Sequence, residues 1–186
     1  VFLRNMMNWV DVRDFGAIGD GVTDDTSAFI AADAGRRVLV SKGTYFLGDS
    51  VTFNTIAEFE GTVSMPDDKY LSLTRNFDLP SYIAAFGDEE LAFRKAFQSL
   101  LNNADHESLD MGGRRISISA PIDMQAAVAN RTEYAQRRVI RNGQFYVTGD
   151  TAWDPDVVTS TGSYSTSSDR TLSNVTNVAN VQIGSM

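Results

Sequence analysis

Val10-Asp11-Val12-Arg13-Asp14-Phe15-Gly16-Ala17-Ile18-Gly19-Asp20-Gly21-Val22-Thr23-Asp24-Asp25-Thr26-Ser27-Ala28-Phe29 sets a strand, a glycine-rich turn and a helix start in immediate succession. Val10 and Val12 alternate with charged neighbours, the pattern of a half-buried strand. Gly16, Gly19 and Gly21 then supply the backbone freedom for a compact reversal. Thr23 or Asp24 is suited to accept hydrogen bonds from the free N–H groups of a first helical turn. Asp24 and Asp25 add negative charge at the positive end of the helix dipole. Asp20, Gly21, Thr23, Asp24 and Asp25 are therefore read as a structural cap.

The pattern continues through Arg37-Val38-Leu39-Val40-Ser41-Lys42-Gly43-Thr44-Tyr45-Phe46, an apolar strand, a turn ending in Gly-Thr-Tyr and a second strand. Together the two stretches resemble the opening motif of the pectate-lyase-like superfamily. These are right-handed parallel β-helix proteins that include bacteriophage tailspikes and many polysaccharide-degrading enzymes. The resemblance implies an N-terminal cap and the first rungs of a right-handed parallel β-helix. It also implies that catalytic or glycan-binding residues lie further along the coil, so no catalytic residue carries over from this motif.

A degenerate second copy follows. Asp88-Glu89-Glu90 stands for Asp24-Asp25-Thr26, Ala92-Phe93 for Ala28-Phe29, and Leu109 to Ile116 for Val38 to Tyr45. Repetition of a supersecondary unit is the signature of a stacked architecture. Phe93, Phe97, Leu100 and Ala104 recur at helical spacing opposite Glu90, Arg94, Lys95 and Gln98, which predicts an amphipathic helix from about Asp88 to Ala104. Ile116, Ile118 and Ile122 alternate as in a strand. Arg138 to Val147 is two apolar runs around Asn142-Gly143, a dipeptide suited to a sharp turn. By pattern alone it is a hairpin or a bend; the resemblance favours a bend within a rung. Thr159 to Ser173 reads as a polar loop or excursion, and a strand pair is expected from Val175 through Val178, Val181 and Ile183.

The expected fold is mainly β with two short helices. The expected division is 1–80, a strand-turn-helix cap with first strands, and 81–186, a second cap-like helix with early rungs. At roughly 20 to 30 residues per solenoid turn, only two or three rungs fit after the cap, so the chain is read as a portion of a longer protein.

Composition excludes several roles. The chain has 186 residues, no cysteine and a formal net charge of -8. Thiolate metal sites and disulfides are excluded, and the charge opposes nucleic-acid phosphates. The basic pairs Arg36-Arg37, Arg114-Arg115 and Arg137-Arg138 are scattered, as solvated strand ends or ion pairs would be. No run is long enough to cross a bilayer. Asp20, Asp24 and Asp25 lack the ligand order of a calcium loop, and capping accounts for them, so no metal or cofactor is expected. Carboxylates such as Asp110, Asp123, Glu133, Asp150, Asp154 and Asp156 are plentiful, but nothing pairs any two of them across a glycosidic bond. His106, between Asp105 and Glu107, reads as a surface or helix-end residue. Asn130 and Asn174 head glycosylation tripeptides that matter only in a eukaryotic secretory setting. Trp153, Tyr164, Tyr146 and Tyr134 are flat enough to stack on sugar rings, with Trp153 and Tyr164 the leading carbohydrate-contact candidates.

The resemblance therefore implies a tail spike or tail fibre component of a phage or phage-like particle. Such a component attaches to host surface polysaccharide, assembles in the bacterial cytoplasm and works in the extracellular virion tail. Its partners would be two further copies in a homotrimer, other tail or baseplate proteins and the host glycan, without nucleic acid or membrane insertion. The alternatives are a lyase or hydrolase whose active site lies mostly beyond this segment, which alone is not expected to be an enzyme, and a fibre-to-baseplate adaptor.

Overall fold

A computed structural model describes residues 8–102, 106–122, 137–149, 151–154 and 159–178. It comprises two compact units, Val1–Gly149 and Asp150–Met186. The 80/81 division expected above passes through a helix of the first unit.

β1 (Trp9–Asp11) is shorter than the alternation suggested, because Asp11 caps a 3-10 turn over Val12–Phe15. Asp11 accepts from the Arg13 N–H, and the Asp14 carboxylate reaches back to the Asp11 N–H. Val12 is thus buried from a turn and not from a strand. β2 (Asp20–Asp24) and α1 (Thr26–Ala32) complete the opening motif. Six short strands follow: β3 (Arg37–Val40), β4 (Thr44–Phe46), β5 (Val51–Phe53), β6 (Ala57–Phe59), β7 (Thr62–Ser64) and β8 (Leu71–Leu73).

Every strand pair of this unit among the described residues is parallel, and each strand pairs with one from an earlier or later pass of the chain. β3 lies between β1 and β6, and β4 between β2 and β7, with Val10, Val38 and Ala57 in register in the first sheet and Thr44 and Thr62 in the second. β5 pairs with β8. Alternate residues, or whole strands, point into one core of Val38, Val40, Tyr45, Leu47, Val51, Phe53, Val63, Leu71 and Leu73. Phe29 from α1 meets the rings of Tyr45 and Phe53 at centroid distances of 5.4 and 5.9 Å. Turns stack as closely as strands: a Cβ on Gly61 would lie 2.7 Å from the Gly43 carbonyl oxygen, so the backbone passes there only because no side chain intervenes.

Three α-helices are present among the described residues where two were expected. The added one, α2 (Leu79–Phe86), begins with Asp78 accepting from the Ser81 N–H, has Pro80 in its first turn and ends at Gly87 with φ 74°. These are ordinary start and stop signals that the alignment of the two copies passed over. Tyr82 on α2 donates to the Leu71 carbonyl at 2.9 Å and accepts from the Leu73 N–H at 3.3 Å, tying the helix to β8.

α3 (Glu89–Asn102) falls where the second copy predicts a helix, but its faces are not as expected. Lys95 and Gln98, assigned to the polar side, are buried. The Lys95 ammonium donates to the carbonyls of Pro66 and Lys69 at 2.6 and 2.7 Å, and Gln98 Nε2 donates to that of Asp67 at 3.0 Å. The helix therefore buries a polar clasp on the β7–β8 connection beside its apolar stripe. Ala104 lies outside the described residues.

β9 (Ser108–Asp110) and β10 (Arg115–Ile118) pair in parallel with β11 (Val139–Arg141) and β12 (Gln144–Val147). Since β11 and β12 pair with earlier strands and not with each other, Asn142-Gly143 is a bend and no hairpin. Asn142 sits at φ 56°, and its side-chain amide donates to Asp110 at 2.9 Å.

In the second unit, Thr151–Trp153 is a 3-10 turn. The stretch read as a loop is an antiparallel pair, β13 (Ser163–Ser165) with β14 (Ser168–Ser173). Its Ser- and Thr-rich composition concealed strands that no core demands. Residues 174–178 form no strand, and the rest of the expected pair, Val181 and Ile183, lies outside the described residues.

Candidate functional site

The cap carboxylates are arranged by the backbone around them. Asp25 is buried, and its two oxygens accept from the N–H groups of Ile18 at 2.7 Å and Gly19 at 3.0 Å. It holds the glycine-rich turn against the start of α1 and makes no side-chain bond to the helix itself. Asp24 accepts from the N–H of Thr26 at 3.0 Å and that of Gly48 at 3.1 Å, linking the first helical residue to the next pass of the chain. Asp20 accepts from the N–H groups of Val22 and Thr23 at 2.9 and 2.8 Å, and from the Thr23 hydroxyl. Thr23 is thus a donor within the turn, whereas the sequence had offered it as a helix-capping acceptor. Gly21 sits at φ 80°.

These bonds fix the chemistry. The Thr26 hydroxyl, then the Thr26 and Gly48 amides, hold Asp24 below the ordinary carboxylate range, and Asp20 is lowered chiefly by the Thr23 amide. Both are anions at neutral pH, unsuited to act as general acids, which require a raised value. Among the described residues no three His, Asp or Glu side chains converge to hold a metal ion. Behind the turn, Arg13 Nε donates to the Tyr45 hydroxyl at 3.0 Å, and Ser41 donates to Asp11 at 2.9 Å. Sequence reading missed this network, since its members become neighbours only when β1 and β3 pair.

The other carboxylates divide. Asp110 accepts from Gly112 N–H and Asn142 and pairs with Arg141 at 3.0 Å; it too is lowered, first by the Gly112 amide. Asp154 is exposed beside the 3-10 turn. Asp123, Glu133, Asp150 and Asp156 lie outside the described residues, as do Tyr134 and Asn130. His106 is half-buried, stacked on Phe77 at 4.4 Å with Nε2 3.1 Å from the Thr74 carbonyl. The expected ion pairs exist for Arg114 with Glu89 and Arg137 with Glu107. Arg115 instead lies over the Tyr146 ring, 4.6 Å from its centroid.

Of the two leading carbohydrate candidates, Tyr164 stands exposed on β13, directly opposite Leu172 of β14. Trp153 is half-buried in the 3-10 turn. Around the hairpin base, Thr161 and Thr176 exchange hydrogen bonds, and Ser160 bonds Asn177. An aromatic and an aliphatic side chain paired across a hydroxyl-rich ribbon are able to meet the apolar face of a sugar ring.

Among the described residues, no helix is long and apolar enough to cross a membrane. Compared with known proteins, the chain matches no family model, no curated protein and no solved structure.

Proposed function

We propose that the chain is the cap and early rungs of a right-handed parallel β-helix serving as a tail spike or tail fibre component of a phage or phage-like particle. In this reading it attaches to host surface polysaccharide and assembles as a homotrimer with other tail or baseplate proteins. The observation that carries it is the parallel register of successive passes, with Val10, Val38 and Ala57 stacked in one sheet and Thr44 and Thr62 in the next, capped by the strand-turn-helix motif. Such stacking is how a solenoid buries a core that no single repeat can bury. The engagement of Asp20, Asp24 and Asp110 by N–H donors favours attachment over depolymerisation by the described residues.

The test is incubation with purified host surface polysaccharide, following retention on the polymer, polymer size and the absorbance of unsaturated uronic products. Binding with unchanged polymer is expected, weakened about tenfold by Tyr164→Ala, since loss of one stacked ring is worth on the order of 1 kcal/mol. Shortened polymer establishes the depolymerase reading, with the absorbance separating lyase from hydrolase. Absence of any binding removes the attachment reading.

A further inference from the structure

The bend between β11 and β12 demands two residues that together carry a reaction of their own. Asn142 takes φ 56°, a conformation that asparagine tolerates better than most residues with a Cβ. A Cβ on Gly143 would run into Cβ and Sδ of the buried Met111, so glycine is required beside it. Both bend residues are exposed. The backbone groups around them are held: the Asn142 carbonyl accepts from the Gly113 N–H at 2.7 Å, and the Gln144 N–H donates to the Arg114 carbonyl at 3.0 Å. Between them, the Gly143 N–H donates to no acceptor among the described residues.

We propose that Asn142 is a site of spontaneous covalent modification, converted by the Gly143 amide and water to isoaspartate and aspartate, and that the product releases the bend from Asp110. The Gly143 nitrogen, losing its proton to solvent, attacks Asn142 Cγ. The N–Cγ bond forms, the Cγ–Nδ2 bond breaks, and Nδ2 leaves as ammonia with the proton returned by solvent. Glycine favours the step because no side chain screens its nitrogen, and attack within one chain needs no encounter. Water then opens the cyclic imide. Opening at Cγ gives aspartate; opening at the main-chain carbonyl gives isoaspartate, whose backbone is lengthened by Cβ. Water is the only reactant consumed.

Asp110 registers the change. Its Oδ1 accepts from the Gly112 N–H at 2.8 Å and from Asn142 Nδ2 at 2.9 Å, and its Oδ2 pairs with Arg141 at 3.0 Å. Exchanging the amide for a carboxylate sets an anion where a donor stood. Arg141, already engaged by Asp110 and Ser108, offsets only part of the repulsion. Asp20-Gly21 offers the same backbone chemistry but is protected from it. Its carboxylate is kept anionic by the Val22 and Thr23 N–H groups, whereas ring closure at an aspartate needs the neutral acid. The proposal goes beyond glycan attachment and stands apart from it.

Peptide mapping by mass spectrometry, after incubation for days in heavy-oxygen water at neutral pH with and without guanidinium chloride, tests the chemistry. The expected result is heavy oxygen at position 142 of the folded chain, as isoaspartate and aspartate, while Asn54, Asn76 and Asp20 stay unchanged. Conversion only in guanidinium chloride overturns the proposal, since the fold then blocks the reaction. So does conversion spread evenly over the asparagines. Hydrogen exchange tests the consequence at the Met111 and Gly113 amides, which donate to the Arg141 and Asn142 carbonyls. Asn142→Asp should speed exchange there about tenfold, and Asp110→Asn in the same chain should restore the slow rates by swapping donor and acceptor. Unchanged exchange in Asn142→Asp, or a double variant as fast as the single one, overturns the release of the bend.

Discussion

The two stretches that run from a helix into paired parallel strands, Asp24 to Phe46 and Asp88 to Ile118, use similar residue types to different ends, and the difference lies in how much chain covers each. In the first, β3 and β4 are central strands, and Phe29 packs between Tyr45 and Phe53, all three fully buried. In the second, β9 and β10 each pair with one described strand, and Phe93 packs edge-on at 5.0 Å against Phe145, itself about half exposed. The acids differ as well. Asp25 reaches back to the glycine turn, whereas Asp88 accepts from the Leu91 N–H at 2.7 Å as a true helix cap. A motif thus specifies a local path, and the neighbouring passes decide what its side chains contribute.

The sharpest way to break this comparison is to truncate the equivalent rings. Phe29→Ala should cost about 3–5 kcal/mol in urea unfolding, the range for a buried aromatic, and Phe93→Ala clearly less, because one of its partners is already wetted. Equal losses would mean that the Asp88 to Ile118 stretch is as well covered as the Asp24 to Phe46 stretch.

Next comes the Lys95 clasp on α3. Lys95→Met leaves the Pro66 and Lys69 carbonyls without their donor and should cost about 1–3 kcal/mol. Burial pulls the Lys95 ammonium down to about 8, against an ordinary value of 10.5, with Asp67 opposing part of the fall. Between those values the unfolded chain binds more protons than the folded one, so Lys95 makes stability rise as pH increases through that window. Thermal melts of the wild type and Lys95→Met across pH 8 to 10 should differ in slope by this contribution; parallel slopes would show that Lys95 is not responsible.

The smallest effect separates the acids. Asp88→Ala should cost about 0.5–2 kcal/mol in urea unfolding, as loss of a helix cap does. Asp24, lowered first by the Thr26 hydroxyl, and Asp20, lowered first by the Thr23 amide, contribute stability that is present above the ordinary carboxylate range and lost as pH falls through their lowered values. An acid melt of Asp24→Ala should therefore fall less steeply than that of the wild type.

The opening motif, the α3 position and the sharp turn at Asn142-Gly143 were legible because each is written in adjacent residues: alternation, helical spacing, a dipeptide with positive φ. Whether that turn closes a hairpin or bends between strands was not, since it depends on β11 and β12 pairing with β9 and β10. Three further things were not. Lys95 and Gln98 look like a solvated face until the Pro66–Lys69 carbonyls arrive from the preceding pass. Tyr45, Arg13, Ser41 and Asp11 meet only across paired strands. The β13–β14 hairpin carries hydroxyls where sequence patterning looks for apolar alternation. Asp24 was legible as a bond acceptor, whereas Asp25 needed the fold to show which amides it serves. Of the carbohydrate candidates, the aromatic character of Tyr164 was plain, but its pairing with Leu172 across β14 depends on register.

Tyr82 gives this architecture a local clock. Its hydroxyl, and not a neighbouring strand, protects the Leu73 amide, so hydrogen exchange at that single position times the undocking of α2. Amides within the β3–β6 ladder time the opening of the sheet instead. Tyr82→Phe should accelerate exchange at Leu73 alone, and the two rates together would reveal whether the helix leaves before the strands part or only with them.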